Sequence, residues 1–175
     1  MPSIRPAGLG DAPRLALAAQ ASFLETFAGL LGGSDIVAHC EEQLGVAAHE
    51  RWLADPDARL WLAEMEEGGA PIGYALLARP DLPVATDEAD LELKRIYLLS
   101  RFHGAGAGQA LLEAAVAEAR RQGARRLLLG VYAGNRRAMA FYVRQGFSRI
   151  GERRFQVGGN AYEDIIFALD LKEAR

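Results

Sequence analysis

Apolar residues along this chain switch between two spacings, and each switch marks an element. Leu15, Ala18, Ala19 and Phe23, with Ser22 beside them, fall three and four apart. That spacing predicts a helix to about residue 27, capped by Asp11 with Pro13 in its first turn. A short strand, "SIRPA", precedes it. "GLLGGSD" breaks the helix, Ser34 or Asp35 caps a second one, and a third runs through "AAHERWLAD". The period then falls to two. "ARLWLAEME" alternates and predicts a strand, "EGGAP" a turn, and "IGYALLAR" a second strand. "PDLPVATDEAD" is a loop with two prolines, and "LELKRIYLL" is a further strand.

Beyond residue 107 the helical period returns. Leu111, Leu112, Ala115, Val116 and Ala119 form one apolar stripe over about 108–122, and Gly123 stands where a left-handed C-terminal cap belongs. "RRLLLGVY" reads as a buried strand. Asn135 caps a short helix through "RRAMAFYVRQ", which Gly146 stops. "FSRIGERRFQV" and "AYEDIIFALDL" flank "GGN", a hairpin. Strands following one another between helices in this order predict an α/β fold: one domain over 1–175, its mixed sheet flanked by helices. Trp52, Trp61 and Tyr74 are expected in the core.

Composition removes several alternatives. The 175 residues carry a net charge of −3, which offers no general electrostatic case for nucleic acid. The single cysteine, Cys40, excludes an intrachain disulfide and a thiolate metal cluster, and is expected as a small buried hydrophobe. His39 and His49 lie ten apart without metal-ligand spacing, so no metal is expected. No apolar run approaches the ~18 residues of a membrane span, and "MPSIRPAGLGD" lacks an apolar signal core. A cytoplasmic location is the default expectation, with no membrane partner. Arg120–Arg121 and Arg125–Arg126 read as solvated faces.

The chemistry concentrates in "SRFHGAGAGQALL", with glycines at 104, 106 and 108 between a strand and a helix. Glycine there costs backbone entropy, so bare backbone must serve a purpose. A helix N-terminus offers free N–H groups and the positive end of the helix dipole, and glycines let an anion approach them. A mononucleotide loop would need Lys-Ser/Thr at its end, where Gln109 and Ala110 stand. A dinucleotide fingerprint would need glycine at 109. What is left is Gly-x-Gly-x-Gly, a cradle for another phosphate compound.

In this loop the chain resembles the GNAT superfamily of acyl-CoA-dependent N-acyltransferases. The superfamily's pyrophosphate loop reads Gln/Arg-x-x-Gly-x-Gly/Ala, matched here by "HGAGAG" with His103 in the Gln/Arg place. A second match, "NRRAMAFYVRQGF", resembles the family's closing motif. The stretch 92–171, with "ASFLETF" and "ADPDARLWLAE" upstream, looks most like the branch holding bacterial spermine/spermidine acetyltransferases.

The resemblance implies a GNAT-like, mostly antiparallel sheet and acetyl-CoA as cosubstrate. It implies contacts to that cosubstrate from Tyr97, Leu98, His103, Gly104, Ala105, Gly106, Ala107, Gly108, Gln109, Asn135, Ala138 and Tyr142, with the Leu98 N–H as oxyanion donor. Tyr142 is the implied acid for the leaving thiolate, and Glu92 the base acting through water. Phe23, Thr26 and Phe27 fall where this superfamily shapes its acceptor pocket, and Arg136 or Arg137 could meet a CoA phosphate. The implied acceptor is a primary amine of a small molecule, a polyamine for this branch. A protein or peptide N-acetyltransferase and a CoA-binding module without turnover are the alternatives. A homodimer is compatible with the resemblance.

Overall fold

The computed structural model describes residues 1–171. Its elements are β1 (Pro2–Pro6), α1 (Ala12–Phe27), α2 (Gly33–Gln43), α3 (Val46–Ala54), β2 (Arg59–Met65), β3 (Pro71–Ala78) and β4 (Asp90–Leu98). After these come α4 (Ala107–Arg121), β5 (Arg126–Tyr132), α5 (Arg136–Arg144), β6 (Ser148–Val157) and β7 (Asn160–Asp170). The strands form one sheet in the order β1-β2-β3-β4-β5-β7-β6. Every pairing is antiparallel except β4 with β5.

One face of the sheet packs on α4. Leu111, Leu112, Ala115 and Ala119 bury their stripe against Leu91, Leu93, Leu127 and Leu129. Burying each such leucine contributes about 1.5–3 kcal/mol. The other face packs on α1 through Leu15, Ala19, Phe23 and Phe27, against Leu60, Leu62, Tyr74 and Leu76. Covered on both sides, β2 and β3 are buried at consecutive positions rather than at alternate ones. The alternation of "ARLWLAEME" therefore does not separate core from solvent. Trp61 and Tyr74 are buried as expected, whereas Trp52 is only partly buried.

Two capping expectations change. Asp11 makes no cap bond to α1; its carboxylate takes the Arg5 guanidinium and the Gly8 N–H instead. α2 starts at Gly33 after Gly32, so Asp35 lies inside the first turn. Gly123 does adopt a positive φ, 75°, at the end of α4. Arg126 and Arg125 are not simply solvated. Arg126 holds the fully buried Asp90 at 2.5 Å, and Arg125 pairs with Asp87.

Two irregularities of β4 open the middle of the sheet. It pairs with β5 only over Asp90, Leu91 and Glu92, opposite Arg126, Leu127 and Leu128; beyond that the strands part. Against β3, Arg95 faces Leu76 but Leu93 faces Leu77, so Lys94 is an extra, bulged residue. Leu93 and Ile96 stay on the α4 face, Tyr97 on the α1 face. The bulge leaves both Lys94 and Arg95 lining a cleft on the α1 side.

Candidate active site

The parting of β4 and β5 opens this cleft, about 1060 Å³ in volume, which runs from the glycine loop to the α1–α2 side of the sheet. At the loop end, Gly104 and Gly106 have φ of 85° and 84°, a left-handed conformation that demands glycine. A Cβ on either would meet nothing within 4 Å, so backbone conformation and not crowding dictates both residues. Gly108 needs no such φ and sits in the first turn of α4. The first bond of that helix runs from the Ala110 N–H to the Gly106 carbonyl. The N–H groups of Ala107, Gly108 and Gln109 thus have no helical partner and stand at the positive end of the dipole. This donor set fits a pyrophosphate. Ala105 differs: its N–H reaches back to the Phe102 carbonyl at 3.4 Å.

His103, the departure from the family pattern, has a defined contact. Its Nε2 donates to the Leu98 carbonyl at 2.8 Å, tying the loop to the end of β4. Glu25 of α1 fixes the same corner by accepting from the Ser100 N–H (2.6 Å) and hydroxyl (2.7 Å). The Leu99 N–H bonds to the Ile72 carbonyl on β3. By the alternation of an antiparallel ladder, Leu98 and Ile96 aim their N–H groups away from β3, into the gap. Gly73 lies opposite Leu98, and a Cβ there would stand 2.5 Å from the Tyr97 carbonyl. Only glycine lets β3 approach so closely.

Across the gap, the Asn135 Oδ1 accepts from the Ala138 N–H at 3.1 Å and caps α5. Tyr142, two turns into that helix, is buried among Phe141, Phe147 and Phe167, while its hydroxyl bonds to no described residue and lines the cleft. Burial pushes its phenol above the ordinary range. Arg137 borders the same end.

On the α1 side, Phe23 and Phe27 are both core and cleft wall, and Thr26 lines the cleft although its hydroxyl is spent on the Ser22 carbonyl. Glu92 is buried at the foot of the gap. Its carboxylate accepts from Lys94 Nζ (2.9 Å) and the Asp81 N–H (3.1 Å). Burial raises its pKa, and Lys94 opposes that shift.

Sequence reading missed several cleft residues. Asp164, also buried with a pKa raised by burial, pairs with Arg153 at 3.1 Å. His39 stacks on Phe23 at 4.5 Å, and Arg153 covers the Phe155 ring. Trp52 faces the Lys94 ammonium at 6.0 Å. Asp35 accepts from the Gly159 N–H, Asn160 Nδ2 and the Tyr162 hydroxyl, latching α2 to the β6–β7 turn beside the cleft. Cys40 is half-buried. Among the described residues no group of three or more His, Cys, Asp or Glu side chains is placed to hold a metal. None of the described helices is long and apolar enough to cross a membrane.

The model of the acetyltransferase (GNAT) family matches residues 24–147, and the chain belongs to that family. It is an acetyl-CoA-dependent N-acetyltransferase with a single mixed seven-stranded sheet. An uncharacterised N-acetyltransferase of Mycobacterium tuberculosis is 33% identical over 161 residues, 92% of this chain and 98% of the relative. The PaiA N-acetyltransferase of Thermoplasma acidophilum, solved with coenzyme A, superposes with a TM-score of 0.78 at 20% identity, covering 97% of this chain and 99% of that one. A ribosomal-protein-alanine N-acetyltransferase of Brucella melitensis gives 0.74 at 25% identity, over 96% and 99%.

Proposed function

We propose that the chain acetylates the primary amine of a small molecule by direct attack, with Tyr142 as acid and Glu92 as a base acting through water. The observation that carries this is the cleft itself. It joins the free N–H groups of Gly108 and Gln109, the inward N–H groups of Ile96 and Leu98, and the Tyr142 side chain in one continuous space. Acetyl-CoA supplies the acetyl group as a thioester, released to the amine as the C–N bond forms and the C–S bond breaks.

Ile96 or Leu98 then donates an N–H to the carbonyl oxygen as it gains charge, worth roughly 10²–10³-fold in rate. Tyr142 stays protonated at neutral pH, because burial holds its phenol high, and gives its proton to the departing sulfur. Glu92 receives the amine proton; the two transfers balance once solvent returns a proton to Tyr142. A strand rises about 3.3 Å per residue, so Leu98 lies six residues and roughly 20 Å along β4 from Glu92, and Ile96 four residues away. The closer N–H, Ile96, suits a Glu92–water relay better. Leu98, whose carbonyl His103 holds, suits the pantetheine arm.

The polyamine expectation has mixed support. Glu42, Asp81, Glu92 and Asp164 line the cleft, but so do Lys94, Arg95 and Arg153. The test is a screen for free-CoA release over amines, polyamines, amino acids and aminoglycosides. Saturable CoA release with an acetylated product supports the reading; binding of acetyl-CoA with no acceptor turned over contradicts it. The family relatives that act on ribosomal-protein alanine make an N-terminal peptide the next acceptor to screen.

A further inference from the structure

We infer that the acceptor carries a carboxylate besides its amine, and that Arg95 is the residue that binds it. This rests on the reading of the cleft as an acetyl-transfer site. Three cations face the acceptor half of the cleft, and two of them are already neutralised. Lys94 lies 2.9 Å from both Glu92 and Asp81, and Arg153 lies 3.1 Å from Asp164. Arg95 has no carboxylate within 4 Å among the described residues. Its Nη1 donates to the Gln43 carbonyl at 3.1 Å. A guanidinium has five N–H donors, so most of its capacity is open.

The surroundings do not neutralise it: Glu42 lines the same cleft but makes no ion pair with Arg95. Arg95 is half-buried and acts electrostatically on Tyr74, Tyr97, His39 and His49. Burial, and secondarily Arg95, holds His39 down at about 4, so its imidazole is neutral at physiological pH. Burial also keeps Tyr74 protonated, up at about 12. Arg95 is therefore a cation beside neutral rings, with most of its donors free to take an anion entering the cleft. The flat guanidinium fork matches a carboxylate through two parallel hydrogen bonds. Its position follows from the bulge. Under strict alternation Arg95 would share the α4 face with the apolar Leu91 and Leu93; the bulge at Lys94 turns it to the cleft side instead. A polyamine would bring further positive charge beside Arg95, whereas an amino-acid-like acceptor brings the complement.

The test compares acids with their amides. N-acetylated amino acids and the corresponding C-terminal amides are titrated calorimetrically into the CoA-loaded protein. In parallel, the free amino acids and their amides are assayed for CoA release. The binding arm is immune to the lower amine pKa of the amides. The acids are expected to bind roughly 10–100-fold tighter than the amides in the wild-type protein, as for a hydrogen-bonded charge pair. Arg95→Gln should bring that ratio close to one without changing acetyl-CoA affinity, and Arg95→Lys should keep part of it. Equal binding of acids and amides by wild type overturns the inference. So does an Arg95→Gln protein that retains the preference, or a panel in which no acid binds while acetyl-CoA does. Arg95-dependent binding of the acids with no CoA release from any amine leaves the clamp standing and removes the transfer reading instead.

Discussion

The Lys94 ammonium lies 2.9 Å from the Glu92 carboxylate at the level where β4 and β5 stop pairing. Burial makes Glu92 harder to ionise, and Lys94 offsets part of that effect. A base must be ionised, so the rate should climb as pH rises through the elevated Glu92 pKa. Lys94→Met removes the opposing cation, and the acidic limb of the kcat profile should move to higher pH. Glu92→Gln should lose roughly 10²-fold or more near neutrality and recover in part at high pH, where the free amine grows. Stability has its own sign. A carboxyl with a raised folded pKa favours folding most below its unfolded pKa, and that contribution is lost as pH rises through the folded value. Glu92→Gln should therefore gain stability relative to wild type as pH increases. A Glu92→Gln protein with the wild-type kcat profile would dismiss the base.

The glycine loop is tested by its cosubstrate. At a hundredfold excess over its dissociation constant, acetyl-CoA should stabilise the folded protein by about 2.7 kcal/mol. Gly106→Val imposes a side chain on a φ of 84°, a strain of about 1–3 kcal/mol, and should abolish the ligand shift. Gly123→Val, with φ of 75° at the far end of α4, carries similar strain and should keep the shift. Thermal melts with and without acetyl-CoA read both. Equal shifts in the two variants would mean that the loop does not hold the pyrophosphate.

Asp35 joins two chain segments more than a hundred residues apart. The Asn160 amide, the Gly159 N–H and the Tyr162 hydroxyl hold its carboxyl below the usual range. A lowered pKa means that the latch is intact above the ordinary carboxylate value and loosens only as pH falls through the lowered one. Protection of the Gly159 amide, corrected for intrinsic exchange, should be flat from neutral pH to about 5, where ordinary carboxylates are still ionised. It should be lost at any pH in Asp35→Ala. The variant should also raise KM for the acceptor and leave acetyl-CoA affinity alone. Unchanged Gly159 exchange in Asp35→Ala would show that the latch carries no stability.

Gly73 is set by contact rather than by φ. Gly73→Ala places a methyl 2.5 Å from the Tyr97 carbonyl and against Leu98, so the end of β4 must shift. Both stability and kcat should fall, since Ile96 and Leu98 present their N–H groups from this segment. Normal turnover per folded molecule would separate that approach from catalysis.

Local periodicity made much of this fold legible. The apolar stripe of α4, the left-handed Gly123 and the Gly-x-Gly-x-Gly spacing each act within a few residues, and each stands where its pattern predicted. The acceptor side was less legible for a physical reason. Strict alternation puts Glu92 and Lys94 on one face and Arg95 on the other; the bulge that moves Arg95 depends on pairing with β3. Asp35 in the first turn of α2 has the residue type of a cap, yet its partners lie 124 to 127 residues away. Asp164 meets Arg153 only because β6 and β7 pair in that register. Long-range register has no trace in local sequence.

The most direct measurement of the proposed chemistry is kcat for Tyr142→Phe at saturating acetyl-CoA and acceptor, normalised to folded protein. The substitution keeps the ring packed on Phe141, Phe147 and Phe167 and removes only the hydroxyl that faces the cleft. An interaction made late in the reaction affects turnover and not ground-state binding. A fall in kcat of roughly 10–10³-fold, within the usual reach of acid–base help, with acetyl-CoA affinity unchanged, is the predicted result. Wild-type kcat across the pH range in Tyr142→Phe would contradict it.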